Sequence, residues 1–135
     1  MTKKEIVEGL SKPSYSQHEV RLLVQSVKEE NGFRKVQKVK YGDVFIFKHE
    51  GMKPRPFVII KIENEITALA MSLTTCEDHM AMRPFKNRFL EGGFFSANVQ
   101  RVHIGTVKEN FICLFDDKKD LRMAIAQWKQ MMEKL

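Results

Sequence analysis

Apolar residues in this chain follow two different rhythms, and the denser one lies in its middle. Residues 57–62 and 66–73 run almost unbroken in β-branched and other apolar side chains, with polar residues 63–65 between them. Runs of that length without turn residues, joined by a short polar stretch, predict a β-hairpin. Pro54 and Pro56 have no ladder donor and hold Arg55 extended at the start of the first strand. Thr74 and Thr75 close the second. An antiparallel pairing brings those two ends side by side, so the spacing predicts that Arg55 meets Thr74 or Thr75 on one edge of a sheet.

The flanking residues extend the pattern. Residues 40–48, KYGDVFIFK, are too uniformly apolar after Gly42-Asp43 to face water and predict a buried strand. Earlier, Ser16 and Glu19 form a capping box followed by Val20, Leu23, Val24 and Val27 at helical spacing, which predicts a helix over residues 17–31, ended by Asn31-Gly32. Thr2 and Glu5 repeat the box for a shorter helix that Pro13 interrupts, and residues 33–40 read as a linker or a first edge strand. After the hairpin, residues 76–82 are polar and irregular, 83–89 suit an edge strand or loop, and 91–93 a turn. Residues 94–104 read as a strand pair or one long bent strand, Gly105 and Asn110 as further turns, and 111–115 as a last strand. Asp116 and Asp117 then open a helix whose Leu121, Ile125, Trp128, Met132 and Leu135 repeat in threes and fours. The expectation is an α+β domain in which a small, strongly bent antiparallel sheet shares one core with a closing helix. Residues 1–39 form a helical extension packed on it, and 40–135 the sheet and final helix of one globular unit.

Composition narrows the function only loosely. With 135 residues, 43% hydrophobic and ten Phe, the chain has material for one core. A net charge of +6 permits a polyanionic partner without requiring one. Cys76 and Cys113 sit in no zinc-binding spacing and read as two reduced thiols. The residues show neither the apolar core of a signal peptide nor a run near the roughly 20 apolar residues of a membrane span. A cytoplasmic protein away from the membrane, with no metal or cofactor, is the expectation.

Three motifs in order carry a family resemblance: Gly42-Asp43 before VFIF, Arg55-Pro56 before FVII, and ALAMSLT ending at Thr74. Over residues 40–135 the chain resembles the MazF/PemK family of toxin-type endoribonucleases. The resemblance implies an SH3-like antiparallel β-barrel, a homodimer, an inhibitory antitoxin-like protein partner and single-stranded RNA as substrate. It also implies cleavage without metal that leaves a 2′,3′-cyclic phosphate and a 5′-hydroxyl. Arg55 and Thr74 stand where the family has its catalytic pair.

Those residue types suit that chemistry. Attack of a ribose 2′-hydroxyl on the neighbouring phosphorus gathers negative charge on the phosphoryl oxygens, which an arginine fork can hold. Arginine is a poor base, so Arg55 reads as a transition-state clamp. Thr74 would orient the phosphate or relay a proton, with Thr75, Ser72 and His79 near enough in sequence to assist, the imidazole being the more natural acid or base. Lys53, Arg83, Lys86, Arg88 and Arg101 are candidate phosphate contacts, and Phe85 and Phe89 among them offer stacking surfaces. Plainer readings stand beside these. Arg55 could pair with Glu63 or Asp78, the threonines could simply end a strand, and the two Phe could belong to the core. A non-catalytic relative that binds nucleic acid or a protein is the alternative to the nuclease.

Overall fold

The computed structural model describes residues 38–48, 51, 53–88 and 90–134. The helices expected over 17–31 and near the N-terminus lie outside the described residues. The described chain runs β1 (Asp43–Phe47), β2 (Arg55–Ile62), β3 (Thr67–Thr74), β4 (Ala81–Asn87), β5 (Leu90–His103), α1 (Ile104–Asn110), β6 (Phe111–Leu114) and α2 (Lys118–Glu133). The predicted hairpin is β2 and β3, and its turn closes where Asn64 Oδ1 accepts from the amides of Ile66 and Thr67 at 2.8 and 2.9 Å.

All six strands form one antiparallel sheet in the order β4-β5-β3-β2-β1-β6. Alternation along the strands gives each face its own core. On one face Val44, Ile46, Val58, Met71, Leu73, Phe85, Phe95, Ile112 and Phe115 pack beneath Leu121 and Ala124 of α2. Phe85, Phe95 and Phe115 form a triangle with centroids 5.4–5.8 Å apart. On the other face Phe45, Phe57, Ile59, Ala68, Ala70 and Val102 gather with Val107 of α1 and with Val39, just ahead of β1. Helix α2 starts at Asp117, whose carboxylate accepts from the Asp120 amide at 3.0 Å, as its sequence predicts.

Three expectations are corrected. The sheet is open, not a closed barrel: β4 and β6 are its two edges, and no ladder joins them among the described residues. Side chains bridge the gap instead. Asn87 at the end of β4 reaches the Cys113 sulfur at 3.7 Å and accepts from the Asp116 amide at 2.9 Å, while the Asp116 carboxylate accepts from the Arg88 amide. Residues 91–93 are not a turn but part of the 14-residue β5. The glycine there serves a close approach, since a Cβ on Gly93 would stand 2.3 Å from the Thr74 carbonyl oxygen. Finally, Gly105 and Asn110 bound no turn pair; they lie in α1, whose N-cap His103 accepts from the Gly105 amide through Nδ1 at 3.0 Å.

Candidate active site

The register of β2 on β3 pairs Phe57 with Ser72 and, continued by two residues, sets Arg55 across from Thr74. Both side chains then emerge on the face that holds Phe57 and Ala70. Arg55 Nη1 donates to Thr74 Oγ1 at 3.1 Å, so the convergence expected from the spacing is observed. It falls at strand ends in the middle of the sheet, because β2 and β3 are inner strands, and not at a sheet edge. Pro54 is buried beside it and Arg55 is half-buried. Glu63, one carboxylate the sequence offers Arg55, holds Arg101 instead, through bonds of 2.7 and 3.0 Å.

Thr74 is 5% exposed, and its hydroxyl oxygen accepts a second bond, from the Cys76 amide at 3.1 Å. Two donors therefore occupy the oxygen's two acceptor positions, which leaves the hydroxyl hydrogen to be donated elsewhere. Beyond Thr74 the chain turns outward. Thr75, Cys76 and His79 are exposed, in a loop held by Asp78, whose carboxylate accepts from the Met80 amide at 2.9 Å and whose carbonyl accepts from the Ala81 amide at 3.1 Å.

A polar row continues from Thr74 across the sheet. Ser72 shares its face and is 1% exposed, with no hydrogen-bond partner for its Oγ among the described residues. On the neighbouring β5, Ser96 Oγ accepts from the Asn98 amide at 3.1 Å and Asn98 Oδ1 accepts from Gln100 Nε2 at 2.6 Å. Sequence reasoning gave Ser72 a minor part and Ser96 none. The signal was the alternation of small polar residues along a strand whose other residues are apolar, which a search for charged groups passes over.

The cationic residues scatter. Lys53 and Lys86 are exposed. Arg83 lies on the α2 side of the sheet in an ion pair with Asp120 at 2.8 Å, and Arg101 is tied to Glu63. Arg88 sits at the end of β4, its amide on Asp116. Phe85 belongs to the core. An open cavity of about 570 Å³ lies between the β4–β5 hairpin and the start of α2, lined by Pro84, Phe85, Lys86, Gly92, Gly93, Phe94, Asp117 and Asp120. Among the described residues no three His, Cys, Asp or Glu side chains are grouped to hold a metal ion. Nor is any described helix long and apolar enough to cross a membrane.

No protein-family model matches the chain, and no curated protein does. Among solved structures it is similar to an endoribonuclease in complex with its cognate antitoxin from a mycobacterial species, with a TM-score of 0.51 and 17% identity over 70% of this chain and 96% of that one. At that identity the likeness is one of fold. The fold is the one that this endoribonuclease adopts.

Proposed function

We propose that this protein is a cytoplasmic endoribonuclease of toxin type that cleaves single-stranded RNA without a metal ion, adopts a MazF/PemK-like dimeric assembly, and is restrained by an antitoxin-like protein partner. The observation that carries the reading is the 3.1 Å contact between Arg55 and Thr74 on a sheet whose fold is that of such an enzyme.

The roles follow from the donors and acceptors. Arg55 gives one guanidinium nitrogen to Thr74 and retains the rest of its fork for a phosphoryl oxygen, where charge grows as the 2′-hydroxyl attacks phosphorus and the 5′-oxygen departs. Thr74, with its oxygen doubly loaded, donates its hydrogen to the same phosphate. His79, in the exposed loop that follows β3, takes the 2′-hydroxyl proton or returns one to the leaving 5′-oxygen; Thr75 beside Thr74 assists in holding the strand. Lys53 and Lys86 contact flanking phosphates, with Arg88 as a further candidate, and Arg83 and Arg101 must first give up their carboxylate partners.

Incubation of the purified protein with end-labelled RNA in EDTA tests this. The expected result is fragments with 2′,3′-cyclic phosphate ends, lost on Arg55→Ala and Thr74→Val. A binding-only protein has one observation in its favour, the near-complete burial of Thr74. Salt-sensitive RNA association without any cleavage would establish that reading instead.

A further inference from the structure

The row of residues that begins with Arg55 and Thr74 continues across the sheet. The β3–β5 register sets Phe94 across from Thr74, and the β4–β5 register sets Pro84 across from Phe94. Directly opposed residues share a face and stand about 5 Å apart at Cα, so Phe94 lies within one nucleotide's reach of the proposed catalytic pair. Phe94 is half-buried and joins neither core cluster, and Pro84 is exposed.

Phe94 and Pro84 also line the open cavity of about 570 Å³ at the β4–β5 hairpin. The cavity lies at the edge of the sheet, and its lining includes residues of both faces. Phe94, Pro84 and Phe85 give it apolar surface, Gly92 and Gly93 admit a flat group close to the backbone, and α2 contributes two carboxylates, Asp117 and Asp120. Both carboxylates are held in place. Asp117 caps α2 by accepting from the Asp120 amide, and Asp120 is paired with Arg83 at 2.8 Å. In a chain of net charge +6, a pocket for phosphate would be lined by cations; this one sets Lys86 alone beside two acceptors.

Apolar walls with two fixed acceptors suit the base of a nucleotide and not its phosphate. Among the four bases, guanine presents two adjacent donors, N1–H and the 2-amino group, to a carboxylate. Adenine and cytosine present one amino group beside an acceptor nitrogen, and uracil sets its N3–H between two carbonyl oxygens that a carboxylate repels. We propose that this cavity is a guanine subsite for the RNA strand. A base next to the scissile phosphate stacks on Phe94 and donates to Asp120, with Asp117 as the second acceptor, while Lys86 holds the phosphate of the same nucleotide. The place of the subsite beside the cut rests on the nuclease reading; binding of the base does not require cleavage.

Binding is tested on the full-length chain with 2′-O-methyl trinucleotides, whose blocked 2′-oxygens prevent cleavage. UGU should shift the amide signals of Lys86, Gly92, Gly93 and Asp120 saturably and bind about tenfold more tightly than UUU. UIU, in which inosine lacks only the 2-amino group, should fall between them. Asp120→Asn should bring the preference for UGU over UUU close to unity. Asp117→Asn, which keeps a capping side chain on α2, should reduce it in part. Equal binding of UGU and UUU, shifts that avoid these amides, or a preference unchanged in both variants overturns the subsite. In RNA of mixed sequence, cleavage should concentrate where guanine stands at one fixed position from the cut, and Asp117→Asn should relax that bias. Guanine-selective binding with no cleavage of any RNA keeps the subsite and removes the nuclease reading; cleavage blind to guanine does the reverse.

Discussion

The two ends of the β1–β2 pair are both built from buried polar residues beside a strand of Phe, Val and Ile, and they spend those residues differently. At the Gly42–Asp43 end each group turns inward. Asp43 Oδ2 accepts from the Lys40 amide at 2.9 Å, Lys118 Nζ donates to the Tyr41 carbonyl at 3.4 Å and lies 5.7 Å over the Tyr41 ring, and Gly42, at φ 89°, leaves the space that Lys118 fills. At the Arg55–Thr74 end the guanidinium is half-buried with most of its fork unclaimed by Thr74, and the threonine hydrogen is left to donate. One end uses Asp43 Oδ2 to close the turn before β1 and Lys118 to tie α2 to it, with Asp43 Oδ1 and the Tyr41 hydroxyl buried beside them without a partner among the described residues; the other keeps donors in reserve. On the proposed reading, short motifs such as Gly-Asp and Arg-Pro therefore carry different content, the first concerning assembly and the second chemistry.

The sharpest way to break that contrast is Arg55→Ala. Loss of a transition-state donor is expected to lower single-turnover RNA cleavage by about 10²–10³-fold, while removal of one partly exposed hydrogen bond costs only about 0.5–1.5 kcal/mol of stability. Cleavage rates and thermal melts on the same preparation check both halves. An Arg55→Ala protein that unfolds would move this end into the structural class of the other.

Next in size is Gly93→Ala. Its Cβ would meet the Thr74 carbonyl oxygen at 2.3 Å, and both atoms belong to paired strands that cannot yield independently. The expected cost is about 1–3 kcal/mol, read from urea unfolding, accompanied by displacement of Thr74 and a fall in cleavage. Gly42→Ala is the matched substitution at the far end. There the obstacle is the tip of the Lys118 side chain, which can swing away, together with a positive φ. It should destabilise by about 1 kcal/mol without changing the cleavage rate of the folded fraction.

These glycines also show what the sequence could and could not disclose. The hairpin, the Asp117-capped helix and the meeting of Arg55 with Thr74 were legible because each follows from local periodicity plus one antiparallel register. Gly92-Gly93 was misread because the reason for glycine there is not a turn but the approach of β3, a contact about 20 residues away in the chain. The open sheet was hidden for a similar reason: Asn87, Cys113 and Asp116 close its gap through side chains, and no strand pattern encodes that. Helix α1 escaped because seven residues with Gly105 in the first turn have weak intrinsic preference and are held by packing of Val107 against Phe45 and Val102. The polar row of Ser72, Ser96 and Asn98 carries no charge and so left no mark on composition.

The smallest expected effects are the most specific to the Gly42–Asp43 end, and they have opposite signs. Burial raises the Asp43 carboxyl above the ordinary aspartate value, against the pull of the Lys40 amide and the Lys40 and Lys118 charges, so the folded chain binds that proton more tightly than the unfolded chain does. The stability that Asp43 contributes through this linkage is absent at high pH and grows as pH falls through the folded pKa toward the unfolded one. Burial lowers Lys118 below the ordinary lysine value, so its contribution grows as pH rises through its folded pKa toward the unfolded value. Melting temperatures of the parent, Asp43→Asn and Lys118→Met across the acid and alkaline ranges separate the two. The parent should gain on Asp43→Asn toward acid and on Lys118→Met toward alkali.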